Sequence, residues 1–156
     1  MLELPSAERL TEIVAGILAD ATFMFVEATE NKDWQGTEFL CARLAMAHGE
    51  RVELMLRAEP ALGPTLAANL LGTEVDSEEA RASGGAALGE LANMVAGALA
   101  VEVFGHEAIC HIGIPEVAVE STLDSIAELA AATCKTIVLT EEGHHLAVML
   151  CAGAGA

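Results

Sequence analysis

The sequence predicts an α+β domain, a mainly antiparallel sheet with long helices packed over one face. Three observations carry this. Apolar residues recur at helical spacing near the N-terminus and again through the stretch that follows Asp76 and Ser77. The β-rich runs come in neighbouring pairs separated by tight polar turns, an arrangement that folds into hairpins and so into antiparallel pairing. The chain has 156 residues and is 53% hydrophobic, enough for one core and too short for two comfortable ones, so a single domain is expected over 1–156.

Ser6, after Pro5, is a natural N-cap, and Leu10, Ile13, Val14, Ile17 and Leu18 then recur every three or four residues to about Ala21. Thr22 to Thr29 is β-rich, and Asn31-Lys32-Asp33 with Gly36 reads as a turn. Two strands follow, from Phe39 through Cys41 and Arg43 onward and from Val52 to Leu56, with His48-Gly49-Glu50 as the hairpin between them. Pro60 and Pro64 open a helix through Leu66, Leu70 and Leu71 that stops at Gly72. Asp76 or Ser77 caps the next helix, with Glu78 and Glu79 in its first turn; it runs to about Val103, loosened at Gly84-Gly85. Ala108 to Val119 supplies one or two strands around Pro115, and Leu123 to Ala132 a short helix. Ile137–Leu139 and Leu146–Leu150 close the chain as a hairpin around Glu141-Glu142-Gly143, and the final Gly-Ala residues should fray.

Composition narrows the function. There are 24 acidic and 7 basic residues, a formal net charge of −17, and no cluster of Lys or Arg. Such a surface repels phosphate backbones and anionic headgroups, which excludes nucleic acid and membrane as partners. Residues 82–101 mimic a membrane span, but Ala and Gly, 30 and 14 in the whole chain, supply most of the hydropathy. Glu90 and Asn93 in the middle weigh against insertion. The stretch is better read as a buried helix. With so few aromatic residues (Phe23, Phe25, Trp34, Phe39 and Phe104), the core should be Leu, Val, Ile and Met over small residues; Met24, Met46, Met55, Met94 and Met149 fall in expected core positions. Cys41, Cys110, Cys134 and Cys151 sit singly with no C-x-x-C and no export signal precedes them, so buried, reduced thiols and a cytoplasmic protein are expected.

The chemistry sits in Ala86-Ala87-Leu88-Gly89-Glu90-Leu91-Ala92-Asn93-Met94-Val95-Ala96-Gly97. Polar groups on so apolar a helix need a purpose. Glu90 and Asn93, three apart, project about 60° from one another on one side of the helix. Gly89, Asn93 and Gly97 form a ridge at i, i+4, i+8, where small residues let a partner approach closely. On spacing alone, a polar stripe on a partly exposed helix or a buried Asn that fixes packing is the favoured explanation of the pair.

E-L-A-N-M-V-A-G resembles the signature of the CheC/CheX/FliY phosphatases, which act on phosphorylated CheY-like response regulators in bacterial chemotaxis. In that signature a Glu and an Asn stand three apart on a long helix, and a Pro follows a little over twenty residues later; Pro115 is at that distance from Asn93. The order of elements agrees as well, and one motif in a short chain is similar to the CheX-like branch. The resemblance implies a CheC-like domain and a catalytic pair, with Asn93 orienting the attacking water and Glu90 docking the lysine of the response regulator. Gly89, Gly97 and Pro115 would line the docking surface. It also implies no cofactor of the chain's own, Mg²⁺ supplied by the bound regulator, and a homodimer. Glu12 could begin a second copy, but Ala15 stands where its Asn would be. Ala86 occupies the place of an Asp or Ser four residues before the Glu, with Ser83 two turns before Glu90 on the same face. That departure keeps a second reading open, a non-catalytic module that binds a receiver domain or oligomerises.

His106, Cys110 and His111 invite a metal reading, but Cys110 and His111 would face opposite ways in a strand. No metal ligands are assigned. His144-His145 reads as a solvated strand end after its turn.

Overall fold

Ser6 caps the first helix as its spacing predicts: its hydroxyl accepts a hydrogen bond from the Arg9 amide at 3.1 Å and starts α1 (Ala7–Thr22). The computed structural model describes residues 2–30 and 37–153, with the side chains of 122–126 left aside. The expected turn at Asn31-Lys32-Asp33 and Gly36, and Trp34 with it, lies outside the described residues. Phe23 ends α1 in the left-handed region (φ 56°). The β-rich stretch is therefore shorter than its composition suggests, because Thr22 completes the helix and only β1 (Val26–Ala28) is strand.

The central hairpin, β2 (Glu38–His48) and β3 (Glu50–Ala58), turns on Gly49 at φ 75°, a conformation that favours glycine. Next come α2 (Leu62–Leu71), ended by Gly72, and α3 (Glu78–Ala82), capped by the Ser77 hydroxyl. The loosening expected at Gly84-Gly85 is a break one residue earlier: Ser83 leaves helical geometry, and α4 (Gly84–Phe104) begins afresh. The remaining elements are β4 (His111–Ile112), β5 (Glu116–Ser121), α5 (Thr122–Ala131), β6 (Cys134–Thr140) and β7 (His145–Ala152).

The seven strands form one sheet in the order β1-β6-β7-β3-β2, with β4 and β5 both on the outer side of β2. Every pair is antiparallel. Residue alternation gives the sheet two different faces. The inner face carries Ala42, Leu44, Met46, Val52, Leu54, Leu56, Val148 and Leu150, packed with Leu10, Val14 and Leu18 of α1 and Leu88, Leu91, Val95 and Leu99 of α4. On the outer face a smaller cluster of Met55, Ile137, Ala147 and Met149 meets Leu129 of α5. The long helices thus share one face, and among the described residues the short α5 is the helix on the other.

At the crossing of α2 and α4, Gly63 and Gly84 bring two backbones together. A Cβ on Gly84 would lie 3.1 Å from Gly63 Cα. Helix α4 is long and apolar enough to cross a membrane, yet 50% of its apolar window is buried within the fold, where its Leu and Val side chains build the main core. Met46, Met55 and Met149 are buried and Met24 and Met94 half-buried. Two sequence expectations need correction. Cys110 and Cys151 are half-buried, whereas Cys41 and Cys134 are buried; all four thiols are free. His145 is not a solvated strand end: it is 5% exposed, because it sits on the outer face of β7 beside the buried Glu59, whose carboxylate accepts from both its backbone amide and its ring Nδ1.

Candidate functional site

Helix α4 buries Ala87, Leu88, Leu91, Ala92, Val95, Ala96 and Leu99. On the side left facing out, Ala86 and Glu90 are exposed and Asn93 and Gly97 half-buried in one strip, bordered by the half-buried Met94 and Ala98 and the exposed Val101. The strip follows from helical spacing, since residues 86, 90, 93 and 97 succeed one another at four, three and four. No other described residue makes a hydrogen bond or ion pair with the Glu90 carboxylate or the Asn93 carboxamide. Both groups are open to a partner.

Pro115, 22 residues beyond Asn93 in the chain, comes back to this helix. The route is the sheet edge. Ile112 pairs with Met46, the Gly113 amide donates to Ala45 O at 2.8 Å, and β5 resumes pairing at Glu116 opposite Arg43. Pro115 occupies the interruption between β4 and β5, where a residue without an N–H costs no ladder bond. A Cβ on Gly89 would lie 3.4 Å from Val117 Cγ2 and 3.7 Å from Pro115 Cβ, and one on Gly85 would lie 3.1 Å from Val117 Cγ1. Gly89 is buried, so the close approach it allows is that of the chain's own edge strand. Gly97 differs: nothing lies within 4 Å of a Cβ placed there, so its open surface is free for a partner. Asn93 is one turn beyond Gly89 on the ridge that faces Pro115, and Glu90 is on the solvent side of that ridge.

The register places Ile112, Val117 and Val119 on the inner face, opposite Met46, Ala42 and Leu40. They reach past the cover of α4 and are exposed, and Ile114 is 88% exposed. The arrangement is an acidic and a carboxamide group flanked by an apolar rim, and neither Glu90 nor Asn93 lines a described cavity. A cavity of about 250 Å³ borders this rim, lined by Gly113, Ile114 and Glu116 with Arg43 and Arg51; the largest described, about 1020 Å³, runs between α1 and β6 at the opposite edge of the sheet. A surface of this shape suits a macromolecule better than a small ligand.

Among the described residues no group of three or more His, Cys, Asp and Glu is placed to hold a metal ion. His106 and His111 are exposed and Cys110 is half-buried; the nearest polar contact of Cys110 Sγ is the carbonyl of His111 at 3.8 Å.

One constellation was not legible in the sequence. Arg57, on the outer face of β3, is fully buried and forms ion pairs with Glu120 of β5 and Glu128 of α5. Arg43 Nη2 reaches the same two carboxylates at 2.7 and 2.6 Å. Arg57 also donates to Cys41 Sγ. Burial, helped by a hydrogen bond to Glu120, pushes the Cys41 thiol up to about 12, against the charge of Arg57. Burial works to raise Glu120, but hydrogen bonds from Arg43 and Cys41 and the Arg57 charge outweigh it and hold this carboxyl below its ordinary value. The only sequence signal was a charged residue, Arg57, at the end of an apolar strand.

No family model matches the sequence, and no curated relative does. Among solved structures the chain is similar to the chemotaxis protein CheX of Desulfovibrio desulfuricans, with a TM-score of 0.67 at 13% identity over 94% of this chain and 98% of that one. It is similar to CheX of Borrelia burgdorferi, solved as a complex of CheX with CheY, BeF3 and Mg²⁺, with a TM-score of 0.65 at 15% identity over 97% and 100%. FliY of Thermotoga maritima gives 0.54 at 16% identity over 98% and 93%. At these identities the fold is what the likeness shows: the chain has the fold shared by CheX, CheC-like and FliY proteins.

Proposed function

We propose that this chain is a CheX-like, cytoplasmic phosphatase of two-component signalling, a hydrolase that removes the phosphoryl group from a CheY-like receiver domain. The observation that carries the reading is the exposed Glu90 and the half-buried Asn93, near each other and unengaged on α4, with Pro115 packed at Gly89. The fold adds support, since a protein of the same fold has been solved with CheY.

An aspartyl phosphate is already prone to hydrolysis, so a phosphatase gains most by placing the water in line with the bond that breaks. A carboxamide suits that task because it both donates to and accepts from water at constant charge. Asn93 would enter the receiver's site and hold the water; Glu90, at the rim, would form a charge-assisted pair with a receiver lysine and fix the docking register. Gly97 would admit the partner's backbone, and Gly89 with Pro115 would shape the surface beside it. Water adds to phosphorus, the P–O bond to the aspartate breaks, and carboxylate and inorganic phosphate leave. The chain needs no cofactor of its own, because Mg²⁺ would arrive with the receiver. With a net charge of −17, docking would depend on short-range contacts rather than steering. A homodimer would form through β5, the outer strand of the sheet, whose far side has no strand paired to it among the described residues.

Ala86 favours a second reading, a module that binds a receiver without hydrolysing its phosphate. It is exposed one turn before Glu90 and offers only a methyl group. Mixing the protein with a phosphorylated receiver and following phosphate release separates the two. Acceleration that disappears in Asn93→Ala supports the phosphatase. Equal acceleration by wild type and Asn93→Ala removes Asn93 from the mechanism, and complex formation on a sizing column with an unchanged phosphate lifetime supports the module.

A further inference from the structure

The edge strand β5 has a different task on each face. On the inner face Val117 packs on Gly85 and Gly89 of α4. Three residues later, about 10 Å along the strand, Glu120 points to the outer face and pairs with Arg43 and Arg57. Among the described residues strand β5 has one neighbour, β2, so it has half the ladder bonds of an interior strand. Within one chain a second anchor for it comes from the outer face.

A guanidinium as deeply buried as that of Arg57 is tolerated only where its charge is matched, and here the matching carboxylates are what hold it, since its Nε has no hydrogen-bond partner among the described residues. Its two carboxylates come from separate elements, Glu120 from the edge strand and Glu128 from the helix that follows. The cation belongs to β3, an interior strand held by β2 and β7. Moving β5 along β2 would therefore separate Glu120 from a charge that cannot reach water. The ion pairs tie the edge strand to the rigid centre of the sheet, with Arg43 bridging the same carboxylates at the half-exposed margin.

We propose that Arg57 is a positioning residue of the candidate site: shared by Glu120 and Glu128 on the outer face, it holds β5 in the register that sets Pro115 and Val117 against α4 on the inner face. The positioning stands on geometry alone; its consequence for catalysis rests on the phosphatase reading above.

Glu120→Gln tests it, with Val148→Ala as a control that weakens the central core without touching the network. Two local signals are read by NMR: amide exchange across Glu116–Ser121, and the Overhauser contact between the Val117 methyls and the Gly89 α-protons. In Glu120→Gln, β5 exchange is expected to rise at least tenfold relative to the β3–β7 ladder, and the Val117–Gly89 contact to fade. The control should keep both. Arg43→Gln, at the margin, should give the same pattern at several-fold if Glu120→Gln fails to fold. Unchanged β5 exchange with the contact retained, or an equal acceleration of every ladder, overturns the proposal. In the phosphatase assay Glu120→Gln should raise KM for the phosphorylated receiver. If wild type releases no phosphate while Glu120→Gln still loses the contact, the phosphatase reading falls and the positioning stands.

Discussion

Replacing Gly97 by Ala should make the protein more stable and less able to engage its partner. Gly97 is in the interior of α4, where glycine costs about 0.8–1.0 kcal/mol relative to alanine through backbone entropy. Nothing lies within 4 Å of the added Cβ, so the methyl meets no clash and gains no packing, and the propensity term stands alone. A gain of about 1 kcal/mol raises the melting temperature of a chain this size by about 2–4 °C. Gly97 is seven residues from Glu90, so the two project within about 20° of each other. A methyl there meets whatever docks against Glu90.

Differential scanning calorimetry reads the first effect, and titration with a phosphorylated receiver the second, with at least a tenfold loss of affinity expected. Gly84→Ala is the contrast. Its Cβ would meet the Gly63 backbone, Cα at 3.1 Å and C at 3.2 Å, and neither atom is a flexible side-chain end. It should destabilise by about 1–3 kcal/mol, as overpacking does. A lower melting temperature for Gly97→Ala would refute the account of this face as open, and a higher one with unchanged receiver affinity would remove Gly97 from the docking surface.

Thiol chemistry, acid and the Ala86 position give three further expectations. Burial raises the pKa of both Cys41 and Cys134, and the thiolate is the reactive form, so iodoacetamide should modify the half-buried Cys110 and Cys151 first; mass spectrometry that finds Cys41 labelled as fast as Cys110 contradicts the buried network. Glu120 titrates below its ordinary value in the folded protein, so its contribution to stability is complete above the unfolded-state pKa and is lost as pH falls through the folded one. Urea unfolding between about pH 5 and pH 3 should therefore show a shallower loss in Glu120→Gln than in wild type, and parallel losses would argue against the shift. Ala86→Ser should raise phosphate release by supplying a hydroxyl one turn before Glu90, with stability within about 0.5 kcal/mol of wild type; an unchanged rate would show that this position does not limit the reaction.

The fold was legible where one pattern had one physical solution. The caps at Ser6 and Ser77, the turn at Gly49 and the stop at Gly72 follow from local backbone chemistry, and the structure realises all four. Strand β1 was overestimated because β-propensity in Phe23 and Phe25 competed with a helix whose Thr22 hydroxyl bonds back to Leu18 O at 2.5 Å. Local preference could not decide that competition. His145 was misplaced for a related reason: a polar pair beside a turn looks solvated until the partner is known, and Glu59 is 86 residues away in sequence.

The candidate site divides along the same line. Glu90 and Asn93 could be placed on one face because helical spacing is local, and their exposure was the part left open. A helix apolar nearly all round gives no sign of which strip faces out, and here that is decided by α4 lying across β2 with its small residues against the edge strand. The sequence supplied Pro115 as a distance along the chain. Only the β4–β5 interruption turns that distance into contact with Gly89. Arg57 is the extreme case: its charge is local, but its meaning depends on carboxylates 63 and 71 residues further on, one of which belongs to the strand that follows Pro115. What the sequence could not show, then, is what joins the two faces of β5. A substitution at Glu120, on the opposite side of the sheet from Asn93, is for that reason more informative about the site than most changes on α4 itself.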